Sequence, residues 1–294
     1  MKLIEKKPIV MILVGVVGIA MSSIFVRYSQ APSAVTAAWR MLWTVALMTP
    51  AVLLKGSVRR ELREMPPQLW GITVASGLFL AAHFVLWFES LRHTSVASST
   101  TIVCTEVVWV ALGFCLFLKG KLSGKAVAAI LVAVLGSILI AWADFEGGGL
   151  YGDLLALGGA MATPAYTLLG RTARKTLSTT VYTYVVYATC TLVLAATCLV
   201  QGQSLVAYGI SAPIVGLLLA VFSTILGHSI FSWCLKYFSP AFVSASKLCE
   251  PVVAGVMAGF LFGELPGMLQ ILGSILILTG VLYYSTLEGK VRKR

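Results

Sequence analysis

A bundle of membrane-crossing α-helices is the fold class this sequence predicts, and three observations predict it. Hydrophobic residues make up 59% of the 294-residue chain and charged residues only 11%, with a mean hydropathy of +0.93. A water-soluble protein of this length could not cover so much apolar surface with so few polar groups. Apolar runs of the roughly 20 residues needed to cross a hydrocarbon core recur along the whole chain. The charges collect in the short stretches between them.

Ten spans can be drawn, at 8–29, 33–54, 69–91, 95–118, 125–143, 150–170, 178–201, 213–235, 241–262 and 267–286. The first opens at Pro8 and continues past signal-peptide length with no small-residue cleavage site, so it is expected to be retained. Pro32, Pro213, Pro240 and Pro266 stand at the starts of later spans, where a missing N–H costs no helix hydrogen bond. Trp70, Trp142 and Trp233 fall near span ends and read as interfacial anchors. Pro164 and Pro251 fall inside the sixth and ninth spans, where each removes a helix bond and kinks the helix. Both are candidate hinges. In the ninth span Gly255, Gly259 and Gly263 repeat at the spacing that permits close helix contact. The short connections leave no room for a lid or an extramembrane domain.

The basic residues orient the spans. With the N-terminus cytoplasmic, the inner segments MKLIEKK, KGSVRRELRE, KGKLSGK, RTARK, the Lys236 turn and EGKVRKR hold 18 of the 22 Lys and Arg residues. The outer connections hold Arg27 and Arg92, with Asp144, Glu146, Asp153 and Glu264 nearby. This is the positive-inside pattern, with both termini inside the cytoplasmic membrane. The net charge of +11 then reflects topology and contact with anionic lipid, and no nucleic-acid partner is needed to explain it.

The chain reads as a duplication of residues 1–145 in 146–294. At an offset of about 144 residues, His83 with LWFESLRHTSVAS matches His228 with SIFSWCLKYFSPAFVS. Glu106 in CTEVVWVALGF then corresponds to Glu250 in CEPVVAGVMAGF, and LVAVLGSILIAW to LGSILILTGVLYY. Five spans per copy is odd, so the second copy enters the membrane from the opposite side. Inverted repeats recur in secondary transporters, with the solute site at midplane and alternating access by rocking of the halves.

The Trp39–Arg40 pair, Glu250–Pro251, the GELPG turn at 263–267 and the LG…LTG closing helix resemble the drug/metabolite transporter superfamily, in its EamA-type ten-helix branch. The resemblance covers almost the whole chain. It implies a non-enzymatic transporter and leaves the cargo open. Valine follows Glu106 where proline follows Glu250, and KGKL stands where the second half has GEL, so the halves depart from strict symmetry.

The intramembrane polar residues are the candidate site. Arg40, Glu106, Lys247 and Glu250 sum to zero charge, and charges at bilayer depth pair or line a watery path. Buried pairs are a poor means of stabilisation, because desolvation offsets the Coulomb gain. Lys247 and Glu250, three residues apart, share a helix face and are expected to satisfy each other in the empty state. A zwitterion would exchange that pair for two new ones, with Lys247 on its carboxylate. His83 and His228 are candidate proton carriers, and Trp43 and Trp109 candidate aromatic walls. The expected cargo is a small amino-acid-like metabolite, exported by a monomer, with proton coupling through Glu250 and a secondary role for Glu106. Organic-cation efflux, facilitated exchange and, more remotely, a receptor or scaffold remain alternatives.

No HExxH, GxSxG or P-loop occurs, which argues against metalloprotease, serine hydrolase and ATP-driven functions. The six cysteines all fall inside spans without CxxC spacing, and read as small buried hydrophobes. Neither metal nor cofactor is expected.

Overall fold

A computed structural model of the chain describes residues 8–26, 28–90, 93–94, 99, 102–143, 149–263 and 267–292. Residues 1–7, Arg27, Arg92, Asp144, Glu146, Glu264, Pro266 and the last two basic residues lie outside the described residues. Among those described, every regular element is helical. The helices are α1 Pro8–Val26, α2 Ser33–Leu54, α3 Gly56–Arg63, α4 Pro67–Ser90, α5 Glu106–Phe117, α6 Gly124–Ala143, α7 Leu150–Ala173 and α8 Thr179–Val200. There follow α9 Ser211–Leu218, a π-helical stretch Leu219–His228, α10 Ser229–Cys234, α11 Pro240–Lys247, α12 Glu250–Phe262 and α13 Met268–Arg292.

Seven helical runs among the described residues are long and apolar enough to cross a membrane: Pro8–Val26, Ser33–Leu54, Pro67–Ser90, Thr179–Val200, Ser211–Cys234, Pro240–Leu261 and Met268–Leu287. Ile102–Phe117 and Gly124–Ile140 are apolar but shorter, and α7 carries Asp153 and Arg171 at its ends. Large apolar side chains such as Leu54, Phe117, Leu199 and Phe260 stand exposed, as lipid contact requires and water would penalise.

The chain divides into two compact units, and each draws on both halves of the sequence. The first unit comprises residues 1–85 and 165–237, the second 86–164 and 238–294. One division falls between Pro164 and Ala165, at the internal proline of α7.

In the first unit, α1 packs on the π-helical stretch and α10, and α2 packs on α8 and α9. Glycine sets the closest approach. A Cβ on Gly18 would lie 2.8 Å from the Phe222 carbonyl oxygen, and one on Gly227 would lie 2.7 Å from Ile19 Cγ2. Trp39 and Trp43 tie α2 down, donating to the carbonyls of Leu205 at 2.8 Å and Pro213 at 3.0 Å. At one end, α3 is fixed by Glu61, which accepts from the Ser178 N–H. Arg171 donates to the carbonyl of Leu235, which caps the C-terminus of α10, and Arg174 to the carbonyl of Leu177 in the turn before α8.

In the second unit α6 and α13 carry the same hexapeptide, LGSILI, at 135–140 and 272–277. The copies contact each other reciprocally. A Cβ on Gly136 would lie 2.5 Å from the Gly273 carbonyl oxygen, and one on Gly273 2.6 Å from that of Gly136. Gly136 faces Ile277 while Gly273 faces Ile140, and further along Gly280 faces Ala129 and Ala133. Positions rising along one helix meet positions falling along the other, so α6 and α13 are antiparallel. The six residues 118–123 join α5 to α6, with Gly120 N donating back to the Phe114 carbonyl at 3.0 Å. Only five residues join α12 to α13, which pack together. Such short connections make antiparallel hairpins. Hence α5 is also antiparallel to α11 and α12.

Two of the three glycines that repeat along the ninth span have no close neighbour. A Cβ on Gly255 would meet open space, and Gly263 ends α12 in the left-handed conformation at φ 70°. Gly263 serves as a helix stop, where glycine carries no Cβ penalty. The close contacts sit on α6 and α13, which bring two glycine-bearing faces together.

Candidate functional site

The candidate residues fall four to each unit. Arg40, Trp43, His83 and His228 belong to the first, and Glu106, Trp109, Lys247 and Glu250 to the second.

Both candidate glutamates, Glu106 and Glu250, stand where a helix is interrupted. Residues 102–104 are helical, Thr105 is a turn, and α5 restarts at Glu106. The interruption is closed by i to i+3 bonds, Thr105 N to the Ile102 carbonyl at 3.1 Å and Val108 N to the Thr105 carbonyl at 2.9 Å. The Thr105 hydroxyl also donates to the Ile102 carbonyl, at 2.6 Å. In the ninth span the cause is Pro251. It has no N–H to offer the Lys247 carbonyl, so α11 ends there. Leu248 and Cys249 make tightened turns to Ala245 and Ser246 at 3.1 and 3.2 Å, and α12 begins at Glu250.

These breaks place the charges favourably. Glu106 and Glu250 occupy the first turns of α5 and α12, and Lys247 the last turn of α11. Helix N-termini favour anions and C-termini favour cations, each by roughly 0.3–1 kcal/mol. The Lys247 ammonium lies 3.0 Å from Glu106 Oε1, as a salt bridge between packed helices. The partner expected on Lys247's own helix was Glu250. That helix is interrupted between Lys247 and Glu250, and the bridge to Glu106 on α5 is an ion pair that local spacing did not indicate. Glu106 is 9% exposed, and so lies deep in the unit.

In the first unit Arg40 is 4% exposed. Its Nε donates to Thr224 Oγ1 at 2.7 Å, and its guanidinium carbon lies 5.2 Å from the centre of the Phe84 ring, in cation–π range. The rings of His83 and His228 both approach Phe84, at 5.4 and 6.1 Å. The two histidines that correspond in the duplication thus both lie near one aromatic ring. The Trp43 indole bonds Pro213, so it acts as a strap between helices, and Trp39 lies against it at 6.2 Å.

Thr224 and its setting are not evident from helical periodicity. Ten residues, Leu219–His228, are wound as a π-helix, a form that is rare and concentrates at functional sites. Two hydroxyls reinforce the wide register: Thr224 donates to the Leu219 carbonyl at 3.3 Å and Ser229 to the Thr224 carbonyl at 3.1 Å, each five residues back. The five-residue spacing of Thr224 and Ser229 was the available signal. Ser229 also meets the Tyr187 hydroxyl at 3.1 Å. Tyr166 pairs with Ser232 at 3.1 Å and Tyr182 with Ser76 at 2.7 Å. Hydroxyl pairs thus pin α8 and α7 to the eighth span and α4.

Thr224→Val is expected to remove the acceptor of the Arg40 Nε–H at almost no change in shape. Loss of a buried hydrogen bond to a charged group costs about 1.5–3 kcal/mol. Thermal unfolding in detergent should show a clearly lower midpoint for Thr224→Val and a near-normal one for Thr224→Ser. Equal midpoints for the two would remove Thr224 from this role.

Among the described residues, no three His, Cys, Asp or Glu side chains gather to hold a metal ion. His93 pairs with Glu89 at 3.2 Å, away from the helix breaks. All six cysteines are free.

A helical, multi-pass membrane protein with charged residues at interrupted helices is the class this geometry defines. The sequence pattern of the EamA-like transporter family matches residues 6–142 and again 150–286. The chain belongs to the EamA-like transporter family, within the drug/metabolite transporter superfamily. It is 27% identical over 222 residues to the uncharacterized transporter YxxF of Bacillus subtilis (strain 168), covering 71% of this chain and 68% of that protein. A solved crystal structure shares the fold at a TM-score of 0.80 and 17% identity, over 97% of this chain and 99% of the other.

Proposed function

We propose that the protein exports an amino-acid-like zwitterion across the cytoplasmic membrane by alternating access of two inverted five-helix halves, 1–145 and 146–294. It works as a monomer, with both termini cytoplasmic and ten membrane spans. The observation that carries this reading is the Lys247–Glu106 pair at the breaks of two helices. The pair already has the charge pattern of an α-amino acid, in reverse. An entering carboxylate replaces Glu106 on Lys247, and the entering ammonium takes Glu106. Buried charge stays balanced at each step, which avoids the several kcal/mol an unpaired ion costs in a low-dielectric interior. Proline at 251 and at 164 supplies the points where helices can bend.

The test is counterflow in proteoliposomes against amino acids, organic cations and sugar nucleotides, with and without a pH gradient. Accelerated exchange of at least one amino acid supports the reading. Exchange confined to organic cations favours the multidrug alternative.

Coupling to protons is assigned to Glu250, the first residue of α12. Glu250→Gln is expected to abolish accumulation driven by a pH gradient while leaving exchange at no less than about a tenth of normal. Proton coupling at the expected site contributes the driving force and not the passage itself. A Gln variant that still concentrates solute with normal pH dependence removes Glu250 from this role.

The orientation follows from the split of basic residues. Single cysteines replacing Ser57 and Ser204 in a cysteine-free background should react differently with an impermeant thiol reagent on intact cells. Position 204 should label and position 57 should not. The reverse pattern inverts the topology.

A further inference from the structure

Among the described residues of the second unit, one buried polar group on α5 and one on α11 make no hydrogen bond. The Trp109 indole Nε1 is buried and makes no hydrogen bond, and the Ser244 hydroxyl makes none either. Ser244 is 1% exposed. A buried donor without an acceptor is costly, which is why such groups are scarce in folded proteins. For a helical serine a local remedy exists, a bond to the carbonyl four residues back. Ser246 on the same helix uses it, donating to the Phe242 carbonyl at 2.9 Å. Ser244 does not.

Their positions coincide. Trp109 follows Glu106 by three residues on α5, and Ser244 precedes Lys247 by three on α11. Residues three apart share a helix face. Because α5 and α11 are antiparallel and packed together, one turn forward from Glu106 and one turn back from Lys247 reach the same level. Trp109 and Ser244 therefore stand at one height on the facing sides of the two helices, a turn from the salt bridge, and they do not bond each other. Orphan hydroxyls also occur at Thr167 and Ser223 in the first unit. Trp109 and Ser244 differ in flanking an ion pair from both of its helices.

We propose that the Trp109 Nε1–H and the Ser244 Oγ–H are the donors of a subsite for the solute's carboxylate, with Lys247 as its counter-charge and Glu106 left to the ammonium. This rests on the zwitterion reading above and deepens it. An ionised carboxylate accepts at about four lone-pair sites, so an ammonium, an indole and a hydroxyl can be satisfied together. A decarboxylated amine offers these donors nothing. A site with buried donors rejects an analogue that leaves them unpaired, and this sets selectivity for the acid over the amine.

The test uses the full chain in proteoliposomes, with alanine, leucine and phenylalanine as probes, each beside its amide and its decarboxylated amine. Ser244→Ala and Trp109→Phe should each weaken counterflow of the exchanged amino acid, and of its amide, by about tenfold, the worth of one hydrogen bond. Binding of the amine should be unchanged. Both variants should melt no lower than the wild type, since each removes an unsatisfied group, so the loss cannot be ascribed to unfolding. In protein labelled with 15N at the tryptophan indoles, the Trp109 signal, assigned by its absence in Trp109→Phe, should move downfield with the amino acid and stay still with the amine. Equal losses for acid and amine, no loss, or an unmoved Trp109 signal overturns the subsite while leaving the transport reading in place. A wild-type protein that exchanges none of the three amino acids overturns both.

Discussion

Lys247→Met is expected to abolish amino-acid binding, measured calorimetrically in detergent, by at least about a hundredfold, and to lower the thermal midpoint. Two effects combine. The ammonium that holds the carboxylate is gone, and Glu106 is left as a buried charge without its 3.0 Å partner. Breaking a buried pair from one side costs about 3–5 kcal/mol, more than removing both members. Adding Glu106→Gln should therefore restore much of the stability and none of the binding. If the cargo were a lipophilic cation, Lys247→Met would leave its transport intact or improve it. Undiminished amino-acid binding by the Met variant would sink the carboxylate role of Lys247.

The second large effect is on the fold. Gly273→Val is expected to cost about 3 kcal/mol, the upper end of what overpacking usually costs, because even its Cβ would stand 2.6 Å from the Gly136 carbonyl oxygen and 2.7 Å from Ile140 Cγ1. The nearest atom is backbone and cannot swing away, so α6 and α13 would have to separate. Gly136→Val should behave alike, given the reciprocal contact. Gly255→Ala is the control. Its Cβ would meet open space, and alanine is the better helix former by about 1 kcal/mol. Melting in detergent should therefore show a steep loss for Gly136→Val and Gly273→Val and no loss for Gly255→Ala. A normal midpoint for Gly273→Val would contradict the packing of the two LGSILI segments.

Much of this protein is legible in its sequence. Membrane helices announce themselves by length and apolarity, and the LGSILI copies and the paired glutamates reveal the duplication. The interruption of the ninth span follows from Pro251 alone. The interruption before Glu106 has no proline and so gave no such sign; hydrogen bonds of Thr105 make it. Pairing of charges was legible only in part. The salt bridge from Lys247 to Glu106 crosses an interface between helices that no local pattern encodes. The same limit explains Gly255: a GxxxG spacing states that a close approach is allowed, and only the neighbouring helix decides whether it happens. The π-helical stretch was hidden for a different reason. Its apolar residues satisfy an α-helical pattern well enough, and its register depends on the Thr224 and Ser229 hydroxyls and on Arg40 from another helix.

In the proposed cycle a zwitterion crosses the membrane by exchanging places with the Lys247–Glu106 pair. The doubly neutralised variant, Lys247→Met with Glu106→Gln, removes both charges of the bridge at little change in shape, so its amino-acid counterflow reads the exchange itself. The variant should fold and reconstitute normally and show no amino-acid counterflow. Counterflow at the wild-type rate would contradict that exchange.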